Sequence, residues 1–332
     1  MDNITHTLCG AALSQTGLNR FAPRATLTLV LGALLPDIDV MAFSQGSIGY
    51  LKYHRGVTHS LVGVLSGSFV LASLIYFINR HFFKENSSPS NFWKWLLLSM
   101  VGIGSHVLLD FTNPYGVQLF YPFDRRWYAW DLVNFIDPWI LGFLILGLGI
   151  PFLSRMINQE IGAPSSQYNW GAIVSLLFIL FYWGAKDFSH RDALEELKEK
   201  SFETGSAQKL AAFPQGFNPF SWRGVVETES AIHLVELGSH WLPTLYSTQK
   251  KEVYFKILSS KILEAAQTGP QGQVYFGFAR FPYARIEEGE NDYRIIFSDL
   301  RFKPTEFSRN RFQLTCELAR NLQIMKESFR FY

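Results

Sequence analysis

Apolar and polar positions divide the 332-residue chain into two unlike parts. Up to about Lys186, long apolar runs alternate with short polar links; beyond it, short β-branched and aromatic runs alternate with charge. A bilayer crossing needs roughly 20 predominantly apolar helical residues. Residues 61–78 and 92–109 meet that need, the second opening on Trp93 and Trp95 as interfacial anchors. A third run spans 137–154, opened by Asp137-Pro138, an N-cap followed by proline at the first helical position. A fourth spans 168–185. Residues 25–35 are apolar but too short to cross; ended by Pro36, they predict a buried or re-entrant helix. Residues 4–20 predict a short helix with His6 in its first turn. The expectation for 1–186 is an all-α helical membrane domain of about four transmembrane helices.

The pattern then changes. Residues 187–212 read as an amphipathic helix, and Lys261–Gln267 as another. Val225-Val226-Glu227-Thr228, Glu252 to Ile257, Tyr293 to Phe297 and Phe312 to Thr315 show the partial alternation of strands. Residues 187–332 are therefore expected to form a soluble α+β domain with an antiparallel sheet.

Composition sharpens this in three ways. Charged residues make up only 17% and aromatics 16%, a deficit concentrated in the first half. The net charge of +2 gives no basis for predicting a nucleic-acid partner. The two cysteines, Cys9 and Cys316, form neither a disulfide framework nor a thiolate zinc site, so histidine and carboxylate would have to hold any metal. The start, Met1 to His6, has no basic region before an apolar run and predicts no cleaved signal peptide.

The polar residues left at the ends of the apolar runs carry the candidate chemistry. His106 and Asp110 are four apart and share a helix face, a pairing that suits Zn²⁺ or Mn²⁺. The plainer reading is a helix-end pair. His54 and His59 flank Gly56 in a loop that can aim both at one point, with Thr58 as a candidate N-cap and Arg55 as a fork for an anion. The plainer reading is a polar turn at a membrane boundary. Asp37 and Asp39 alternate after Pro36, one to bridge ions or position water and the other to ligate or orient a histidine, unless both are solvated loop acids. A helical hairpin returns the end of the second crossing to the start of the first. His6, His54, His59 and His106 then converge with Asp37, Asp39 and Asp110 on one face. The excess of Lys and Arg on that side, from Lys52 to Arg191, predicts a cytoplasmic face.

Asp2 to Leu8, Leu35-Pro36-Asp37-Ile38-Asp39, His54 to Ser60 and Ser105 to Asp110 followed by Pro114-Tyr115-Gly116 resemble the bacterial membrane-bound metal-dependent hydrolase family. This is the YdjM-like family, some of whose members are under LexA control. Asn218-Pro219-Phe220-Ser221-Trp222 resembles its YfhP-type branch, whose members carry a C-terminal extension. The resemblance implies a multi-pass protein of the bacterial inner membrane, distantly similar to zinc-dependent phospholipase C and related zinc nucleases. It implies His6, Asp37, His54 or His59, and His106 with Asp110 as metal ligands. No second downstream His-xxx-Glu pair is present, so two divalent ions, zinc with manganese as the alternative, are implied rather than three. The expected activity is phosphoester hydrolysis on a membrane lipid or membrane-associated substrate, with Asp37 and Arg55 as catalytic residues. The rival is a non-catalytic metal-binding membrane protein whose second domain docks a partner.

Overall fold

The computed structural model describes residues 1–83, 89–162, 170–238, 251–257, 260–302 and 312–331. Contacts divide the chain into two units: Met1–Asp39 with Arg55–Asp187, and Val40–His54 with Phe188–Tyr332.

The first unit is helical. It holds α1 (Asn3–Gln15), α2 (Ala25–Leu34), α4 (Leu61–Phe82), α5 (Pro89–Phe111), α6 (Pro138–Glu160) and the part of α7 (Trp170–Glu199) up to Asp187. Four of these, α4 to α7, are long and apolar enough to cross a membrane, and they fall on the four expected runs; Tyr168 lies outside the described residues. A fifth such stretch, Ala25–Tyr53, is longer than the apolar run 25–35 alone predicts. The helical path does not stop at Pro36: a 3₁₀ segment, Leu35–Gln45, carries it into α3 (Gly46–Tyr53). Proline lacks an N–H but is tolerated in the first turn of a helical segment, where no intrahelical acceptor is needed.

The core of this unit is apolar and tight. Leu29 of α2, Leu71 and Ile75 of α4, and Trp95 and Leu98 of α5 are buried together, with the Trp95 indole N–H donating to the Pro23 carbonyl at 2.9 Å. Small residues set the spacing of α2 and α5. A Cβ on Gly102 would lie 2.7 Å from the Leu29 carbonyl oxygen, so the helices pack backbone to backbone there. Outward-facing Leu65, Phe69, Leu146 and Phe181 are exposed, as an apolar solvent requires.

The second unit carries two four-stranded antiparallel meanders, bearing out the expected sheet character. One runs β1 (Lys209–Pro214), β2 (Trp222–Glu227), β3 (Ala231–Leu237) and β4 (Lys251–Phe255) in order. The other runs β5 (Pro282–Glu288), β6 (Asp292–Asp299), β7 (Gln313–Ala319) and β8 (Ile324–Arg330). The expected helix over 187–212 is instead the continuation of α7 to Glu199, and β1 begins ten residues later. Leu197 of α7 packs over Gly224 of β2, where a Cβ would clash with its side chain at 2.6 Å. Helices α8 (Lys261–Gln267) and α9 (Pro270–Phe278) pack against the second sheet, and Glu327 of β8 accepts from the Gln271 and Gly272 amides at the start of α9.

Candidate metal centre

Four elements of the first unit deliver side chains to one buried place. Asp2 caps α1, accepting from the Ile4 and Thr5 amides, and so fixes the first turn that carries His6. Asp37 and Asp39 come from the 3₁₀ segment, His59 from the short 3₁₀ turn Val57–His59, and His106 and Asp110 from the last two turns of α5. Ser60, rather than Thr58, is the N-cap of α4, accepting from the Gly63 amide at 3.0 Å. The Thr58 hydroxyl instead donates to Asp39 Oδ2 at 2.6 Å.

Asp37, His59, His106 and Asp110 form a group whose ligating atoms all lie within 4.8 Å of one another. The atoms are His59 Nε2, His106 Nε2, Asp37 Oδ1 and Asp110 Oδ2. The two nitrogens are 3.1 Å apart. Asp110 Oδ2 is 3.2 Å from His59 and 3.5 Å from His106; Asp37 Oδ1 is 3.7 and 3.5 Å from the same two nitrogens. Ligands at the roughly 2.0–2.1 Å typical of zinc would form a regular tetrahedron with edges of about 3.3–3.4 Å. These separations scatter around that value.

Proton positions point the same way. The His106 Nδ1 atom lies 2.7 Å from the Ala33 carbonyl, which can only accept, so Nδ1 carries the proton and Nε2 offers a lone pair. His59 Nδ1 faces Thr58 Oγ1 at 2.9 Å and Asp39 Oδ2 at 3.3 Å. Because the Thr58 proton is committed to Asp39, His59 Nδ1 must be the donor, and its Nε2 also offers a lone pair. Burial, opposed in part by the Asp39 hydrogen bond, pushes His59 down to about 3, which keeps the ring neutral. Two lone pairs and two carboxylate oxygens thus converge with no proton between them. Such a cluster is repulsive by itself and fits a cation.

His6 lies beside the quartet. Its ring stacks on His106 with centroids 3.7 Å apart, and Nε2 is 3.4 Å from Asp110 Oδ1. Neither of its ring nitrogens has a hydrogen bond among the described residues. Burial, followed by the His106 ring, holds its pKa well below the usual value.

Asp110 joins the cluster to Arg55. Its Oδ1 accepts from Arg55 Nη2 at 2.9 Å and contacts the Met1 amine, while Oδ2 faces the two histidines. Arg55 is buried, donates to Asn113 Oδ1 at 3.0 Å, and lies 4.8 Å above the Tyr115 ring. Its backbone sits in the left-handed region at φ 59°, clamped by its N–H on Asp39 and by Gln118 donating to its carbonyl. Backbone strain of this kind, of order 1–3 kcal/mol, persists where the surroundings over-determine it. The guanidinium expected to meet an anionic ligand holds Asp110 in place.

His54 belongs to the second unit, where it ends α3 and stacks on Tyr50 at 4.3 Å. Asp137 is the N-cap of α6, accepting from the Trp139 and Ile140 amides. Three contributors cannot be read from the sequence: the Ala33 carbonyl, Asn113 and the Thr58 hydroxyl as a bridge. None has a local signal, since each acts through tertiary contact.

A family profile described as YdjM inner membrane protein matches residues 1–191, the stretch that contains the whole cluster. The chain is 32% identical over 148 residues to the protein YfhP of Bacillus subtilis (strain 168), a match covering 42% of this chain and 43% of that protein. It is 36% identical over 124 residues to the inner membrane protein YbcI of Escherichia coli (strain K12), covering 36% of this chain and 66% of that one. The matches thus span under half of one relative and just under two thirds of the other. No solved structure matches. With more than half of its length matched, its apolar helices and its polar cluster inside that match, the chain belongs to the YdjM inner membrane protein family.

Proposed function

We propose that this membrane protein is a divalent-metal-dependent hydrolase acting on phosphoesters, with a lipid headgroup as the substrate class. The carrying observation is the convergence of His59 Nε2, His106 Nε2, Asp37 Oδ1 and Asp110 Oδ2 at tetrahedral spacing with both histidine protons turned outward. These four residues would hold one zinc or manganese ion, and His6 offers a further nitrogen beside them; two ions is the count implied by the resemblance. Bound there, a divalent ion supplies Lewis acidity toward a phosphoryl oxygen and acidifies water. Asp37 is the partly exposed member, its side chain 17% accessible against none for the other three, so it marks the open side. The carboxylate oxygen of Asp37 not directed at the cluster would orient an attacking water and accept its proton. Asp39 and the Ala33 carbonyl hold the two imidazoles, and Arg55 orients Asp110 while adding positive charge that favours an anionic substrate. Five apolar helices argue for a substrate drawn from the membrane. The excess of Lys and Arg on the cluster's side favours the cytoplasmic face.

A second reading has its own support. Three of the four side chains are fully buried, and closed tetrahedral sites are structural more often than catalytic. Purified protein loaded with zinc or manganese and screened against phospholipid and nucleotide phosphoesters separates the two. Hydrolysis of a lipid phosphoester that Asp37→Asn abolishes supports the enzyme. Stoichiometric metal with no turnover of any substrate supports the structural reading.

A further inference from the structure

Away from the metal cluster, an open-sided groove of about 410 Å³ lies between α1 and α6. One wall is Leu8, Ala11 and Gln15, spaced along one face of α1. The other includes Ile145, Gly149 and Phe152, spaced along one face of α6, with Arg155 at its far end. The lining is almost wholly apolar except at that end, where Gln15 and Arg155 stand.

Three observations specify an occupant. Arg155 has no hydrogen bond or ion pair among the described residues, so a cation stands at the end of an apolar groove without a protein anion. Asp137 and Arg155 are 18 positions apart on α6, about 27 Å along a helix, close to the roughly 30 Å of a bilayer's hydrocarbon core. Asp137 lies at the metal-cluster end of the unit, two residues beyond the Phe135 ring that Arg55 approaches at 5.9 Å, so Arg155 falls at the opposite interface. Ile145 to Arg155 covers ten positions, about 15 Å, which is one leaflet's depth of acyl chain. Finally, a Cβ on Gly149 would meet nothing within 4 Å, so the groove floor is open where a chain would lie.

We infer that this groove binds one phospholipid from the leaflet opposite the metal cluster, an acyl chain lying along α1 and α6 and the phosphate paired with Arg155. An apolar body with an anionic head matches an apolar channel with a cationic rim, and arginine pairs well with phosphate. The site does not depend on the metal cluster or on hydrolysis.

The test uses the full chain in vesicles of a phosphate-free galactosyl diacylglycerol containing a trace of phosphatidylglycerol with a photoactivatable group on one acyl chain. Crosslinks are expected in the peptides containing Leu8 to Gln15 and Ile145 to Arg155, displaced by unlabelled phosphatidylglycerol and not by diacylglycerol, which lacks the phosphate. Arg155→Gln should lower labelling there about tenfold, as loss of one charge-assisted contact predicts. Gly149→Phe should fill the groove and abolish it, whereas Gly184→Phe on α7, also facing open space, should leave it unchanged. Labelling spread evenly over all the apolar helices, displacement by diacylglycerol, or chain-to-chain crosslinks through α1 and α6 in place of lipid would overturn the proposal.

Discussion

His59 and His106 face one another Nε2 to Nε2 at 3.1 Å, while the opposite nitrogen of each ring is occupied by an acceptor, Asp39 for one and the Ala33 carbonyl for the other. Two neutral imidazoles arranged this way repel through their lone pairs. The arrangement makes physical sense around a cation, and it makes the outward partners as important as the ligands.

Asp39 is the first of those partners. It accepts from Thr58, from the Arg55 amide and from His59, so it holds the ring and its tautomer together. Asp39→Asn should weaken metal binding by about 10–100-fold while leaving the stoichiometry at saturating metal unchanged. Competition against a chelator of known affinity measures this; an unaltered affinity would remove Asp39 from the account.

Gly102 acts at one remove. It lets α2 approach α5 closely enough for the Ala33 carbonyl to reach the ring of His106, one turn further along. Gly102→Val changes no ligand, yet it should force the helices apart and lower metal affinity by at least as much as the loss of one outer partner, about 10-fold. The same substitution at Gly104, where a Cβ meets nothing within 4 Å, should be nearly silent in the same assay.

The sheet unit has its own pH dependence. His233 of β3 is buried against Thr204, and burial, reinforced by the Lys251 charge, lowers its pKa below the ordinary 6.5. Below about pH 6.5 the unfolded chain therefore binds more protons than the folded one, and stability falls as pH drops from there toward the folded-state value. Above that point the contribution vanishes. Hydrogen exchange of the β2 and β3 amides, corrected for intrinsic rate, should show protection lost between about pH 7.5 and 5.5 in the native chain and held in His233→Gln.

Much of this was legible in advance, for a physical reason that also marks where legibility ends. Helices α4 and α5 announce themselves because about 20 apolar residues have few other uses, and β6 and β7 because they alternate. β3 did not, since Ala231 to Val235 are buried without interruption and leave no alternation to see. The sequence pattern cuts α7 short at the change from apolar to charged composition, although its backbone continues to Glu199. The residues of the candidate metal cluster stand out by type and position, because histidines at the ends of apolar runs are conspicuous. Their outward partners were not: a carbonyl at Ala33 or an amide at Asn113 has no signature until the helices are packed. The α4 cap shows the same limit: the sequence offers Thr58, but tertiary contact commits that hydroxyl to Asp39 and the cap is Ser60.

The measurement that reaches the central claim most directly is elemental analysis of the purified membrane protein beside its His106→Ala, Asp110→Ala double variant. The account predicts at least one tightly bound divalent ion per native chain, removed by chelator and absent from the double variant. A folded double variant that keeps the native metal content, or a native chain that binds no divalent ion when zinc and manganese are supplied, would contradict it.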